Sequence, residues 1–273
     1  MFQRGHIQDF ARLGLNEQTR WILFADLPIP QIETAVAQEV AGFRFITSTI
    51  VWLDIVASIT AGTAPMLVSH HSRILTAGSQ TQLRDIMGCD NWVLLQIARI
   101  ARLYENMNRT TQEGQDDLTG FGESASEIRL GLQYSTSQIA RATSPRVTTE
   151  DPHALITRVF ANMAVVYLHL VMHGFQKLDL MDDVLCSSMR IIRTRSGRHL
   201  QALVPPLFIL GVIAKQEDQQ FLRDILSIPP LLDPFLRHRL RLLPILEDIW
   251  KRRDTPGFAW HHCVELTKDI LLV

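Results

Sequence analysis

The stretch Pro152–Phe175 reads PHALITRVFANMAVVYLHLVMHGF. It is too long for one strand. Asp151 before Pro152 is an N-cap followed by proline at the first helical position, where a missing N–H costs nothing, and Gly174 marks the stop. The spacing predicts one helix. Arg158, Asn162, His169 and His173, with Gln176 just beyond, share one face, while the other faces carry Val, Phe, Ala, Met, Leu and Tyr. A helix that is apolar on most sides is buried on most sides. A solvent stripe would carry Lys and Glu; this one carries amides and imidazoles. Such groups either satisfy each other and backbone carbonyls between helices, or line a ligand cavity.

Outward from that helix the same periodicity recurs. Phe43–Thr60, FRFITSTIVWLDIVASIT, is rich in β-branched residues but too long for a strand, and Ala61-Gly62 supplies a helix stop. Its polar seam is Thr47, Asp54 and Ser58. Asp54 stands alone among uncharged residues. A carboxylate buried there requires a partner, either an Arg or the N-terminus of another helix. Trp52 and Trp92 read as core. Further helices are expected at Ile32–Val40, Asn91–Tyr104, Ser124–Ala142, Met181–Arg193, Pro206–Lys215, Gln219–Ile225, Pro234–Arg252 and Trp260–Leu272. Asp233-Pro234 repeats the capping device of Asp151-Pro152. Thr63–Asp85 reads as an irregular connection, and the Gly-rich polar run Thr110–Ser126 as a surface loop. No hairpin signal, fixed repeat or linker is present. The expected class is all-α: one compact array of about ten helices over residues 1–273, with a long polar loop near 110–126.

Composition narrows the chemistry. The chain has 273 residues, 47% hydrophobic, with 27 Lys+Arg against 28 Asp+Glu. A net charge of -1 excludes a bulk electrostatic nucleic-acid binder, which carries a basic excess. Cys89, Cys186 and Cys263 are scattered and form no C-x-x-C pair, which excludes a disulfide framework and a cysteine zinc module. There is no P-loop, no H-E-x-x-H and no G-x-S-x-G. Gly120-Phe121-Gly122 lacks the third glycine of a dinucleotide fingerprint.

The histidine doublets His70-His71 and His261-His262 point about 100° apart on a helix and cannot chelate one metal. Asp179, Asp182 and Asp183 share a helical face but read as acids at a helix N-terminus, favoured by the macrodipole. The clusters Arg190, Arg193, Arg195, Arg198 and Arg237, Arg239, Arg241, Lys251, Arg252, Arg253 read as solvated faces or helix C-termini. No metal and no cofactor is expected. MFQRGHIQDF carries no apolar core of a signal peptide, and the longest apolar stretches are interrupted by Asn162, His169 and His173 or by Pro205-Pro206. A soluble intracellular protein, nuclear or cytoplasmic and away from membranes, is the expectation.

Several segments in order resemble the fungal-specific transcription factor domain, in the second of its two common types. Phe43–Pro65 is similar to its W-x-D-x-x-A-x-x-x-x-G-x-x-P stretch through Trp52, Asp54, Ala57, Gly62 and Pro65. Met87–Leu103 resembles its Gly-Cys-acid-x-Trp opening before an apolar helix. Ala161–Leu170 resembles its alanine-rich helix ending in Tyr-Leu. Leu203–Leu226 resembles its Trp-Pro-Leu-Phe-x-x-Gly helix, with Pro205 in place of the Trp. Ile245–Asp254 resembles its Leu-x-x-(Val/Ile)-Trp close. The binuclear zinc cluster that precedes such regions is absent from these residues.

The resemblance implies a regulatory module of a fungal metabolic circuit. Such a module senses a small molecule, meets a protein partner or a second copy, and does not itself read DNA. The alternative is a stand-alone, cofactor-independent cyclase or isomerase, such as a Diels–Alder-type pericyclase, working by orientation in an interhelical pocket. His169 or His173 would then serve as hydrogen-bond donor or acid/base, with Asp54 orienting the imidazole. On either reading the ligand-facing candidates are Thr47, Asp54, Ser58, Arg158, Asn162, His169 and His173.

Overall fold

A computed structural model describes residues 29–76, 82–114, 119–142, 151–194, 198–229, 231–232 and 236–272, and among them there is no strand. The chain is an all-α array. It divides into two units, Met1–Ser48 and Thr49–Val273. The two predicted helices at the start are one, α1 (Ile29–Ala61). Gly42 does not interrupt it, because a single glycine costs only about 1 kcal/mol in a helix interior. In the first unit, Phe43, Phe45 and Ile46 on α1 are exposed. The second unit holds the rest of α1 and every later helix.

After α1 come α2 (Val68–Ile74), the short α3 (Arg84–Met87), α4 (Asn91–Gln112), α5 (Thr119–Ala142) and α6 (Pro152–His173). They are followed by α7 (Asp182–Arg193), α8 (Arg198–Ala202), α9 (Val204–Val212), α10 (Gln216–Leu226), α11 (Leu242–Arg252) and α12 (Trp260–Thr267). Single 3-10 turns at Leu178–Met181 and Arg237–Arg241 lead into α7 and α11. Helix α6 is the central element and packs against α4, α5, α7 and α9. Its Val159, Phe160, Met163, Ala164, Val166, Tyr167 and Leu170 have no exposed surface. It is long and apolar enough to cross a membrane, but its apolar faces are covered by protein. The predicted start is as observed: Asp151 accepts a bond from the His153 N–H at 3.0 Å, with Pro152 opening the helix.

Two expected connections are shorter than the sequence suggests. The long polar loop near 110–126 is mostly helix. Thr110 and Thr111 stay in α4 and donate their hydroxyls to the Asn106 and Met107 carbonyls, and Gly114, just past the helix end at Gln112, turns the chain at φ +67°. Helix α5 starts at Thr119 because Ala125, Ile128 and Leu132 form a buried stripe that outweighs the local cost of Gly120 and Gly122. The irregular connection Thr63–Asp85 contains α2. The expected cap at Asp233-Pro234 lies outside the described residues. Of the single helix expected over Pro234–Arg252, the part from Arg237 to Arg241 is a 3-10 turn and the part from Leu242 is α11.

Two of the resemblance positions are backbone devices. Gly62 ends α1 at φ +66°, and a Cβ there would lie 2.6 Å from Val264 Cγ1. Gly88 takes φ +73°, and its Cβ would meet Ile156 Cδ1 at 2.8 Å. Both turns therefore need glycine for conformation and for close approach. Trp52 is buried edge-on to Phe160, with ring centroids 5.6 Å apart; Trp92 is half-buried against the same core. Trp250 donates its indole N–H to the Gly211 carbonyl at 2.7 Å. Arg253 donates to the carbonyls of Val212 (3.2 Å) and Ala214 (2.9 Å). Together they satisfy the orphan carbonyls at the C-terminus of α9. Arg253 sits at the C-terminus of α11, one of the two settings expected of the arginine clusters, but its guanidinium bonds the end of a different helix; Arg239, 7% exposed, departs from the expectation of a solvated face.

Candidate functional site

The sequence picks out two polar seams. At the first, Asp54 accepts the Met66 N–H at 2.8 Å on one oxygen and the Leu67 N–H at 2.9 Å on the other. These are backbone donors at the start of α2, so the carboxylate caps that helix from across the chain. The His71 imidazole lies with Nε2 3.0 Å from the same carboxylate, so Nε2 carries the hydrogen. Burial pulls the His71 pKa below its ordinary value, against the opposing pull of Asp54. The partner required for Asp54 is therefore a helix N-terminus and an imidazole, and that imidazole is His71, not His169 or His173. Ser58 donates to the Ile55 carbonyl of its own helix at 2.6 Å. Thr47 belongs to the first unit and is half-buried there.

At the second seam, Asn162 donates to Ser188 Oγ at 2.9 Å, and Ser188 donates to the Val184 carbonyl at 2.7 Å. This ties α6 to α7. His169, 7% exposed, donates Nε2–H to the Gln176 carbonyl at 2.7 Å, closing the loop that follows its own helix. The His173 ring lies 5.2 Å from that of His169 and is exposed. Desolvation lowers the His173 pKa first, followed by the neighbouring positive charge of His169, Arg129 and Lys177. Arg158 is half-buried on the same face.

The structure thus brings Asn162 to Ser188 and His169 to His173, and it holds Asp54 with a different imidazole. Among the described residues no three His, Cys, Asp or Glu side chains converge as metal ligands. In the doublets, His70 is exposed while His71 is buried, and His262 turns back to accept the Ala259 N–H at 3.1 Å. Asp182 pairs with Lys215 at 2.6 Å. The Cys89 and Cys263 thiols are buried, and burial pushes Cys263 up to about 12. Neither is a nucleophile.

The Asp54 and Asn162 contacts join one helix to another, His169 ties the end of its helix to the turn beyond, and Ser58 and Ser188 bond within their own helices. The model of the fungal specific transcription factor domain matches residues 20–273.

The chain belongs to the fungal-specific transcription factor domain family.

Among curated proteins, it is similar to the pestheic acid cluster transcriptional regulator 3 of Pestalotiopsis fici, 34% identical over 93% of this chain and 47% of that protein. It is also similar to the trichothecene biosynthesis transcription regulator TRI10 of Fusarium sporotrichioides, 24% identical over 81% of this chain and 52% of that protein. The TRI10 of Trichoderma arundinaceum is 26% identical over 85% of this chain and 54% of that protein. The chain spans about half the length of these relatives. No solved structure matches. Within the domain, sequence reasoning misses His71, Trp250 and Arg253 as tying residues.

Proposed function

We propose that this domain is the regulatory, ligand-sensing part of a transcription regulator of a fungal biosynthetic gene cluster, working in the nucleus without reading DNA through these residues. The observation that carries the reading is the family membership over residues 20–273, joined to relatives that are themselves named as regulators of biosynthesis. Charge supports it: a net charge of -1 gives no electrostatic footprint for duplex DNA. The exposed end of α6, with His173 and Gln176 beside Arg129 and Lys177, is where a small effector would meet the seam without dismantling a core contact. Fusion to a heterologous DNA-binding module in a fungal host tests the reading. Reporter output should depend on the fused domain and change with the metabolic state of the host. A domain that leaves the reporter unmoved in every condition, or that shifts duplex DNA sequence-specifically by itself, overturns it.

A further inference from the structure

We propose that the groove between α7 and α10 docks an extended segment of a partner protein, one that carries Lys or Arg three residues away from Asp or Glu. The groove is about 540 Å³ in volume. Two ion pairs fix its walls: Asp182 with Lys215 at one end of α7, and Arg193 with Asp218 (2.8 Å) at the other. These pairs neutralise each other and hold α10 across α7. The Arg193 guanidinium also sits 5.0 Å over the Phe221 ring, which anchors that end. The floor between the pairs is apolar, formed by Leu185 and Met189.

The charges left over by the walls decide the ligand. Asp183, Glu217 and Arg190 line the groove and are in no ion pair among the described residues. Glu217 lies near the Lys215 ammonium, at the Asp182 end, and Asp183 follows Asp182 in α7. Arg190 is exposed on the far side. The groove therefore presents two free carboxylates at one end and a free guanidinium at the other. Asp183 and Arg190 are two helical turns apart, about 10 Å along the axis. A segment in the extended polyproline II conformation rises about 3.1 Å per residue and returns to the same side every third residue, so a cation and an anion three residues apart face the groove together and span the same distance. The chain between them would lie over Leu185 and Met189.

A free phosphate or a nucleic acid is the wrong partner, because the lining holds four acids against three bases. Charge complementarity of this kind selects a partner and its register. The inference rests on the regulatory reading only in taking the partner to be a protein.

The test uses the full chain and a built-in reporter. Cys186 lies in the groove and is exposed, whereas Cys89 and Cys263 are buried, so iodoacetamide reads Cys186. The probe is the blocked tetrapeptide acetyl-Lys-Ala-Ala-Glu-amide at millimolar concentration. It should slow Cys186 alkylation. In Arg190→Glu the affinity should fall by about tenfold, and acetyl-Lys-Ala-Ala-Lys-amide should become the better ligand. Arg190 is exposed, so the variant's melting temperature should match the parent; Asp183→Lys, with acetyl-Glu-Ala-Ala-Glu-amide as its ligand, repeats the test from the other end. No protection of the parent, equal protection in both variants, or equal protection by glutamate or phosphate alone overturns the proposal. The reporter experiment above is read separately, so a silent groove in a responsive domain rejects this inference and leaves the regulatory reading standing.

Discussion

The two polar seams solve the same physical problem in opposite ways. Asp54 and His169 each place a polar group inside an apolar helix. Asp54 carries a full charge, and its partners lie 12, 13 and 17 residues further on, at the start of another helix. His169 is buried with a single partner, the Gln176 carbonyl in the turn that ends its own helix. A buried charge demands several charge-assisted bonds, so the Asp54 seam recruits a distant element and fixes where α2 sits. A buried imidazole demands one acceptor, so His169 closes locally and leaves His173 outside, while Asn162 alone carries the second seam across to α7. The first seam is an assembly device. The second stiffens a helix end whose outer residues remain available to something else.

Removing Trp52 should separate the two regions most strongly. It is 2% exposed and stands edge-on to Phe160 of α6, so Trp52→Ala should destabilise by about 3–5 kcal/mol, read by urea denaturation. A parent-like midpoint would show that the α1–α6 contact is not part of the cooperative core. Next comes Asp54→Ala, which leaves two backbone donors and the His71 imidazole without their acceptor. The expected loss is about 3 kcal/mol, from charge-assisted bonds and a helix cap together. Asp54→Asn should recover part of it, since one amide oxygen can still accept. If alanine and asparagine cost the same, the carboxylate's charge is irrelevant and the contrast between the seams fails.

His169→Ala should cost less, about 1–2 kcal/mol, because one neutral hydrogen bond and a local loop are lost. Amide exchange should rise in the turn around Gln176 and stay unchanged in α2. Protection lost in α2 instead would mean that His169 also acts at long range.

How much of this the sequence displays depends on the range of each interaction. The central helix, its Asp151-Pro152 start and its Gly174 end are legible because caps and periodicity are local. That Asp54 needs a helix N-terminus or a cation is legible from charge and burial. That the imidazole beside it is His71 is not, because the choice among ten histidines is made by how α2 folds back. The stretch near 110–126 reads as a loop because the Gly and Thr residues there favour turns locally, while the buried stripe Ala125, Ile128, Leu132 decides for helix through tertiary contact. Arg253 reads only as one cation of a solvated face or a helix C-terminus for a related reason: the carbonyls it caps lie 39–41 residues away. The groove charges are visible only as clusters, since which of them pair depends on the approach of α10 to α7.

The smallest expected effect is the most discriminating. His173→Ala should change stability at pH 7.5 by less than about 0.5 kcal/mol, because the ring is exposed and its contact with His169 is partial. Its consequence should appear on acidification. Both His71 and His173 have folded pKa values below the ordinary 6.5. The unfolded chain therefore binds more protons than the folded one as pH falls through 6.5, and stability must decline there, levelling off only below the folded pKa values. For His71 the cause is burial, set against attraction from Asp54. For His173 it is desolvation followed by repulsion from His169, Arg129 and Lys177. Raising ionic strength screens charges at an exposed site and leaves a buried one almost untouched. Thermal melts from pH 7.5 to 5.5 should show an acid-side decline that His173→Ala and added salt both reduce, without adding to each other. His71→Gln should reduce it further, independently of salt. If salt fails to flatten the parent profile while His71→Gln removes all of it, the acid sensitivity belongs wholly to the Asp54 seam and the open end of α6 contributes none.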